Sequence, residues 1–191
     1  MCSVDVPKLL EESGAILRGH FQLTSGRHSD VYFEKFRLLE RPDIASALCS
    51  KIAERFSGSD VGLVAGPTTG GVLVAFEVAR QLGAPAIYVE SEAGRRVLRR
   101  GATVGKGARV LVVDDVLTTG KSVREVVSLL RTLGGSAIGV GVLIDRSEET
   151  LDFGCPLFAV HRVEAKSYAA EELPEWLARV PVTKPGTSTD V

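Results

Sequence analysis

The segment Val110-Leu111-Val112-Val113-Asp114-Asp115 constrains the fold more than any other. An unbroken apolar run rich in β-branched residues fits a strand buried on both faces, and such strands belong to parallel sheets covered by helices on each side. The acids are followed by Val116-Leu117-Thr118-Thr119-Gly120-Lys121-Ser122, and from Lys121 onward Val123, Val126, Val127, Leu130 and Leu133 recur at helical spacing. Gly134-Gly135 stops that helix before a second apolar run, Ala137 to Ile144. Strand, loop, helix and strand in this order predict a βαβ unit with its loop at the carboxyl end of the sheet, where open α/β sheets bind ligands.

The same alternation appears upstream. Val61 to Ala65 reads as a strand, Gly71 to Leu82 as a helix and Ala86 to Val89 as the next strand. Pro42 suits a first helical turn, and Ile44, Leu48, Ile52 and Phe56 follow at spacings of four, which predicts an amphipathic helix. At the start, Leu9, Leu10, Ile16 and Leu17 predict a helix over 7–17 ending near Gly14 or Gly19. From His20 to Phe36 the pattern alternates around Ser25-Gly26, the signature of a hairpin. After a short apolar run, Leu157 to Val160, come a Glu-rich stretch around Trp176 and a tail from Pro181 expected to be loosely ordered. The fold class expected is α/β, a Rossmann-like parallel sheet flanked by helices, with an N-terminal helix and hairpin as a hood. At 191 residues with 45% hydrophobic content, one domain is expected over 1–191: hood 1–40, core 41–165, tail 166–191.

Charge and cysteine usage exclude several classes. With 23 basic and 24 acidic residues the net charge is −1, so no global field draws the chain to nucleic acid or a membrane surface, and any anion must be held locally. Cys2, Cys49 and Cys155 form no CxxC pair, which argues against a disulfide framework or structural zinc and fits a reducing compartment. The start carries Asp5, Glu11 and Glu12 and nowhere do eighteen apolar residues run together, so a cytoplasmic protein is expected.

The loop chemistry is specific. Thr118 to Ser122 offer hydroxyls, close backbone approach at Gly120 and the unpaired amides of a helix start, an anion cradle suited to phosphate. Asp114 and Asp115 would repel phosphate but can grip sugar hydroxyls or a Mg²⁺ carried by pyrophosphate. A sugar phosphate satisfies both halves. The plainer alternative is that the acids cap a turn and Thr-Thr-Gly merely starts a helix. The Gly-x-x-x-x-Gly-Lys-Ser/Thr spacing is absent, which disfavours nucleoside triphosphate hydrolysis. A second glycine-rich turn, Gly66-Pro67-Thr68-Thr69-Gly70-Gly71, lies between a predicted strand and a helix and could hold a further phosphate.

The apolar strand, acidic pair and Thr-rich loop resemble the phosphoribosyl pyrophosphate signature of the type I phosphoribosyltransferases. The resemblance implies that Asp114 and Asp115 contact ribose hydroxyls, that Thr118, Thr119, Gly120, Lys121 and Ser122 hold the 5′-phosphate, that Val116 and Leu117 beside them also belong to the phosphoribosyl pyrophosphate site, that Thr69 and Gly70 belong to a pyrophosphate loop, and that Mg²⁺ takes part, carried mainly by the substrate. Some members have a lysine near Gly70; this chain has none.

Further segments are similar to orotate phosphoribosyltransferases. Phe21-Gln22-Leu23-Thr24-Ser25-Gly26-Arg27-His28-Ser29, with Tyr32-Phe33, matches a hairpin that closes over the pyrimidine, which implies that His28, Tyr32 and Phe33 line the orotate site. An aromatic pair in a hairpin also reads as core. Ile144-Asp145-Arg146 ends the second strand of the unit, where Arg146 could bind a carboxylate or carbonyl edge, joined by Thr118; a surface ion pair is the alternative. Tyr168, Glu171, Glu172, Pro174 and Lys184-Pro185-Gly186-Thr187 resemble the end of bacterial members, with Leu173-Pro174-Glu175-Trp176 where many have Cys-Pro-x-Cys.

The segment 91–101, Ser91-Glu92-Ala93-Gly94-Arg95-Arg96-Val97-Leu98-Arg99-Arg100-Gly101, reads as a basic loop suited to an acidic leaving group, or else as a solvated charge run. In the family this loop completes the neighbouring site of a homodimer through a lysine that would fall near Ser91. Here Arg95, Arg96, Arg99 or Arg100 supplies the charge, Lys106 reaches in from the loop's far end, or turnover is poor. Arg95 and Arg96 are the favoured catalytic pair. The reaction implied is transfer of phosphoribosyl to orotate, with a purine phosphoribosyltransferase or a non-catalytic phosphoribosyl pyrophosphate-binding regulator as alternatives.

Overall fold

The computed structural model describes residues 5–23, 25–163 and 166–184, so Cys2, Thr24 and Pro185-Gly186-Thr187 lie outside them. In chain order the elements are α1 (Val6–Glu12), β1 (Ile16–Gln22), β2 (His28–Phe33), α2 (Lys35–Leu39), α3 (Pro42–Phe56), β3 (Leu63–Pro67), α4 (Gly70–Leu82) and β4 (Ala86–Glu92). They continue with β5 (Arg95–Val97), β6 (Arg109–Leu117), α5 (Lys121–Thr132), β7 (Ser136–Asp145), β8 (Leu157–Arg162), β9 (Ser167–Tyr168), α6 (Glu175–Ala178) and β10 (Val182–Thr183).

A six-stranded sheet runs β5-β4-β3-β6-β7-β8, parallel except for the β4–β5 hairpin. Its central strand, β6, is apolar on both faces for the expected reason. Val110 and Val112 pack with Val123, Val126 and Leu130 of α5, while Leu111 and Val113 pack with the stripes of α3 and α4. Each such buried side chain contributes about 1.5–3 kcal/mol over an exposed one. In β7, Gly139 and Gly141 let α3 approach, because a Cβ at either would run into Phe56 or Ile52.

The second sheet, β10-β1-β2-β9, is the hood. The N-terminal helix stops at Glu12, short of the predicted 7–17. Gly14 turns the chain with φ +64°, and Ile16 and Leu17 instead pair with Phe33 and Tyr32 across the hairpin. The hairpin therefore begins before His20 and ends at Phe33, with a bulge between Arg18 and Phe21 and a short helix, α2, where Phe36 was expected to extend a strand. The first residues of the supposedly loose tail are also paired: His20 with Val182 and Phe21 with Thr183. β3 is displaced to Leu63–Pro67, since the ladders to β4 and β6 begin at Val64 and Leu63.

Candidate active site

β6 continues past the acids to Leu117, so Asp114 and Asp115 sit within the strand, not at its end. β3 pairs with β6 only as far as Val112, and beyond that point the turn Gly66–Gly71 covers the exposed edge. The approach is tight enough to require glycine. A Cβ on Gly70 would overlap Asp115 Oδ2, one on Gly71 would press on Pro67 and Asp114 Oδ1, and one on Gly66 would strike the Gly71 carbonyl. The glycine-rich turn upstream of α4 thus closes directly on the acidic pair of β6.

Both acids are nearly enclosed, at 7% and 4% exposure. Backbone amides that lack a ladder partner turn to them: Asp115 N donates to Asp114 Oδ1 at 2.9 Å and Val116 N to Asp115 Oδ1 at 2.7 Å. Burial, then the neighbouring Asp115 charge, pushes the Asp114 carboxyl well above the usual carboxylate range. Lys35 Nζ stands 3.1 Å from Asp115 Oδ2, at ion-pair distance but outside hydrogen-bond geometry, so that oxygen is compensated in charge and has no hydrogen bond. Nothing in the sequence pattern marked Lys35, which opens α2 on the far side of the hood strand.

The phosphate loop follows. Gly120 takes φ +72° as the residue before α5, and Thr118 and Thr119 are exposed. Thr119 Oγ1 accepts from Lys121 N at 3.4 Å. Ser122, the second residue of α5, accepts through its hydroxyl from Arg96 Nη2 at 3.0 Å. Residues 91–101 form no open loop. β4 runs to Glu92, Ala93 and Gly94 turn with positive φ, as a two-residue hairpin of this hand requires, and β5 returns, pairing Ser91 with Arg96 and Glu92 with Arg95. Arg96, only 10% exposed, also donates through Nε to Glu125 at 3.0 Å, and Arg99 pairs with Glu92. Arg95 and Arg100 form no ion pair among the described residues, and Arg95 faces solvent. Lys106 lies against Gly134, beyond the amino end of β6, whereas Asp114 stands five residues further along that strand than Arg109, or about 17 Å. A lysine stem does not bridge that gap, so within its own chain Lys106 is no substitute for the loop lysine.

The aromatic pair divides. Phe33 is 4% exposed and belongs to the core, whereas Tyr32 is half-buried, its ring centroid 5.6 Å from that of Phe21. Strand alternation sends adjacent residues to opposite faces. His28 is buried with Nδ1 2.7 Å from His20 Nε2, and His20 Nδ1 is 2.9 Å from the Val180 carbonyl. A carbonyl only accepts, so His20 carries its proton on Nδ1, and in the neutral pair His28 Nδ1 donates to His20 Nε2. His20 also escaped the sequence reading. Arg27 ties the hood to the C-terminal segment, donating to Ser167 Oγ at 2.7 Å and to its carbonyl at 2.6 Å.

Arg146 leaves the end of β7, its amide donating to the Leu117 carbonyl at 2.8 Å. The neighbouring Asp145 is engaged by Ser147 through N at 2.8 Å and Oγ at 2.6 Å, so it does not neutralise the guanidinium. Arg146 Nε is buried without a partner, and burial lowers the guanidinium pKa. The surface ion pair considered for it does not form. The buried unpartnered atoms among the described residues are Asp115 Oδ2, Arg96 Nη1 and Glu90 Oε1, on strands of the large sheet, and Arg146 Nε, just past the end of β7. Each such group costs about 1–3 kcal/mol, which is recovered where a polar ligand pairs with it.

An acidic pair between a glycine turn and a hydroxyl-rich helix start defines a class, and residues 38–153 match the model of the phosphoribosyl transferase domain. Over 183 residues the chain is 45% identical to the orotate phosphoribosyltransferase of Pelotomaculum thermopropionicum, covering 96% of each, and over 182 residues 43% identical to that of Caldanaerobacter subterraneus subsp. tengcongensis, covering 95% of this chain and 96% of the relative. The crystal structure of orotate phosphoribosyltransferase from Aeropyrum pernix superposes with a TM-score of 0.73 at 33% identity, covering 83% of this chain and 94% of that one. The chain belongs to the orotate phosphoribosyltransferase family.

Proposed function

We propose that this chain transfers the 5-phosphoribosyl group from phosphoribosyl pyrophosphate to orotate, giving orotidine 5′-phosphate and pyrophosphate in pyrimidine biosynthesis. The observation that carries the acceptor is the buried, unpartnered Nε of the Arg146 guanidinium, just past the end of β7, the strand next to that of the acidic pair. The orotate nitrogen forms a bond to the anomeric carbon as the bond to the pyrophosphate oxygen breaks. The leaving group departs with the electron pair, and the nitrogen gives up its proton. Asp114 and Asp115 hold the ribose hydroxyls, Thr118 to Ser122 take the 5′-phosphate, and the turn containing Thr69 and Gly70 takes the pyrophosphate. Arg146 and Tyr32, with Thr118, orient orotate; His28 supports Tyr32's strand from within the hood. Hood, core and tail act as one domain.

Among the described residues no three His, Cys, Asp or Glu side chains gather as a metal cage. Two adjacent carboxylates suit a Mg²⁺ that arrives on pyrophosphate, since this ion commonly takes one or two carboxylates and otherwise substrate oxygens. When bound it would offset the charge that develops on the leaving group. No helix among the described residues is long and apolar enough to cross a membrane, and a cytoplasmic enzyme is our reading.

Mixing the purified protein with Mg²⁺, phosphoribosyl pyrophosphate and orotate, uracil, hypoxanthine or adenine tests the assignment. Pyrophosphate release with orotate alone is expected. Release only with a purine would transfer it to the rival enzyme, and binding without release to a regulator.

A homodimer is part of this reading. Leu73 and Phe76, on one face of α4, and Phe36 on the adjacent α2 are 54%, 65% and 49% exposed. Apolar area this large favours cover, and α4 starts at Gly70, so a second copy seated there would adjoin the site. Phe76→Glu is expected to shift the species seen by analytical ultracentrifugation from twice the chain mass to the single chain. An unchanged sedimentation profile would remove this face from the interface.

A further inference from the structure

Lys35 holds a position that the reaction scheme has not yet used. It is the first residue of α2, two residues past the end of hood strand β2, and the intervening Glu34 fixes that helix start by accepting from Phe36 N at 3.2 Å. Its ammonium reaches the cleft: Nζ lies 3.1 Å from Asp115 Oδ2, with the lysine side chain 37% exposed and the acid's 5%. The same oxygen faces Gly70, where a Cβ would overlap it. One cation, one acid and the glycine turn assigned to pyrophosphate therefore meet at one point.

That turn, Gly66-Pro67-Thr68-Thr69-Gly70-Gly71, has no basic residue, and position 91 is a serine. Arg96 is committed to Glu125 and Ser122, and Arg99 to Glu92. Of the described basic side chains, Lys35 alone pairs with either member of the acidic pair. Pyrophosphate is multiply charged and cannot be held by amides alone without leaving charge uncompensated in a partly enclosed cleft. A compact ammonium on a rotatable stem can change partners by a rotamer shift, which a planar guanidinium held at two points cannot do as readily.

We propose that Lys35 is a pyrophosphate-binding residue: its ammonium leaves Asp115 as phosphoribosyl pyrophosphate enters and grips the pyrophosphate beside Gly70 until it departs. Asp115 is thereby released to the ribose hydroxyls. In the free protein the pair keeps a buried carboxylate compensated. Because only Glu34 separates Lys35 from β2, the contact also couples the hood to the leaving group. This inference rests on the site being one for phosphoribosyl pyrophosphate.

The test compares Lys35→Met and Lys35→Arg with the unmodified protein in two assays. The first is calorimetric titration with magnesium pyrophosphate in the absence of any acceptor. The second is steady-state kinetics with orotate. Losing one charge-assisted contact, Lys35→Met should weaken pyrophosphate binding and raise KM for phosphoribosyl pyrophosphate by about 10–100-fold, with KM for orotate changed less than about threefold, and Lys35→Arg should recover part of the loss. Should Lys35→Met fail to fold because Asp115 is left bare, the comparison moves to Lys35→Met/Asp115→Asn against Asp115→Asn, where the same loss of pyrophosphate affinity is expected. Pyrophosphate affinity and KM within about twofold of the parent, whatever the melting temperature does, would leave Lys35 a neutralising partner only and overturn the proposal. The calorimetric arm needs no acceptor, so it decides Lys35 even if orotate is not the substrate. A parent protein that binds no pyrophosphate would overturn this inference and the phosphoribosyl reading together.

Discussion

Asp114→Asn is expected to make the protein more stable and nearly inactive. The amide keeps the acceptor that Asp115 N uses, so the local backbone bond survives. What disappears is a carboxyl whose burial, and whose neighbour Asp115, penalise its charged form. Each unit of pKa elevation corresponds to about 1.4 kcal/mol between the protonation states, and a gain of about 1–3 kcal/mol in unfolding free energy at neutral pH follows. Asparagine cannot supply the charged acceptor for ribose hydroxyls. Hydrogen bonds to charged groups are worth about 1.5–3 kcal/mol each, so kcat/KM for phosphoribosyl pyrophosphate should fall about 10²–10³-fold. Thermal unfolding and initial rates on the same preparation read both halves. A less stable Asp114→Asn protein would show that the acid is better compensated than its surroundings indicate.

The pH dependence has a definite sign. A carboxyl raised in the folded state binds more protons there than in the unfolded chain throughout the interval between the ordinary carboxylate range and its raised value. Stability therefore declines as pH rises through that interval, and Asp114 contributes nothing to the slope below it. The advantage of Asp114→Asn should accordingly be small near about pH 4 and largest near about pH 9. Substrate binding follows the opposite course, because the hydroxyls and any accompanying cation need the ionised pair. The acid limb of the kcat/KM profile should lie above the ordinary carboxylate range and be altered in the variant.

What the sequence displays and what it conceals differ in the distance between partners. The β6–loop–α5 unit was legible because its strand, acids, hydroxyls and helical stripe are contiguous and each obeys its own period. Arg146 was legible for the same reason, as the residue that follows the end of the next strand. Ile16 and Leu17 misled because a short apolar pair satisfies helical and strand spacing alike, and only Tyr32 and Phe33 across the hairpin decide between them. The β4–β5 hairpin carried a local sign in Ala93-Gly94, but its arginines drew the reading toward an open loop; Arg96 is held by Ser122 and Glu125, contacts that no spacing rule reveals. Lys35 and His20 belong to the same class. Their partners, Asp115 and Val180, are remote in sequence and meet them only after the hood has folded onto the core.

Arg146→Met should separate the two substrates. The thioether preserves much of the buried stem volume, and since Asp145 is satisfied by Ser147, no carboxylate is left unpaired by the change. Binding of phosphoribosyl pyrophosphate, which uses the acids and the two phosphate loops, should change less than about threefold, since Arg146 belongs to none of these and the two sites share Thr118 alone. Orotate, in contrast, loses a planar donor able to meet its carboxylate or carbonyl edge through two parallel bonds. A desolvated charge-assisted pair of this kind is worth about 3–5 kcal/mol when one partner is truncated, so kcat/KM for orotate should drop about 10²–10³-fold or more. Arg146→Lys should recover little of it, because a point charge keeps the sign but loses the fork. The partnerless Nε makes the opposite result informative as well. If Arg146→Met retained orotate turnover while losing phosphoribosyl pyrophosphate affinity, the guanidinium would serve the phosphates, and recognition of the acceptor would pass to Tyr32 and the hood.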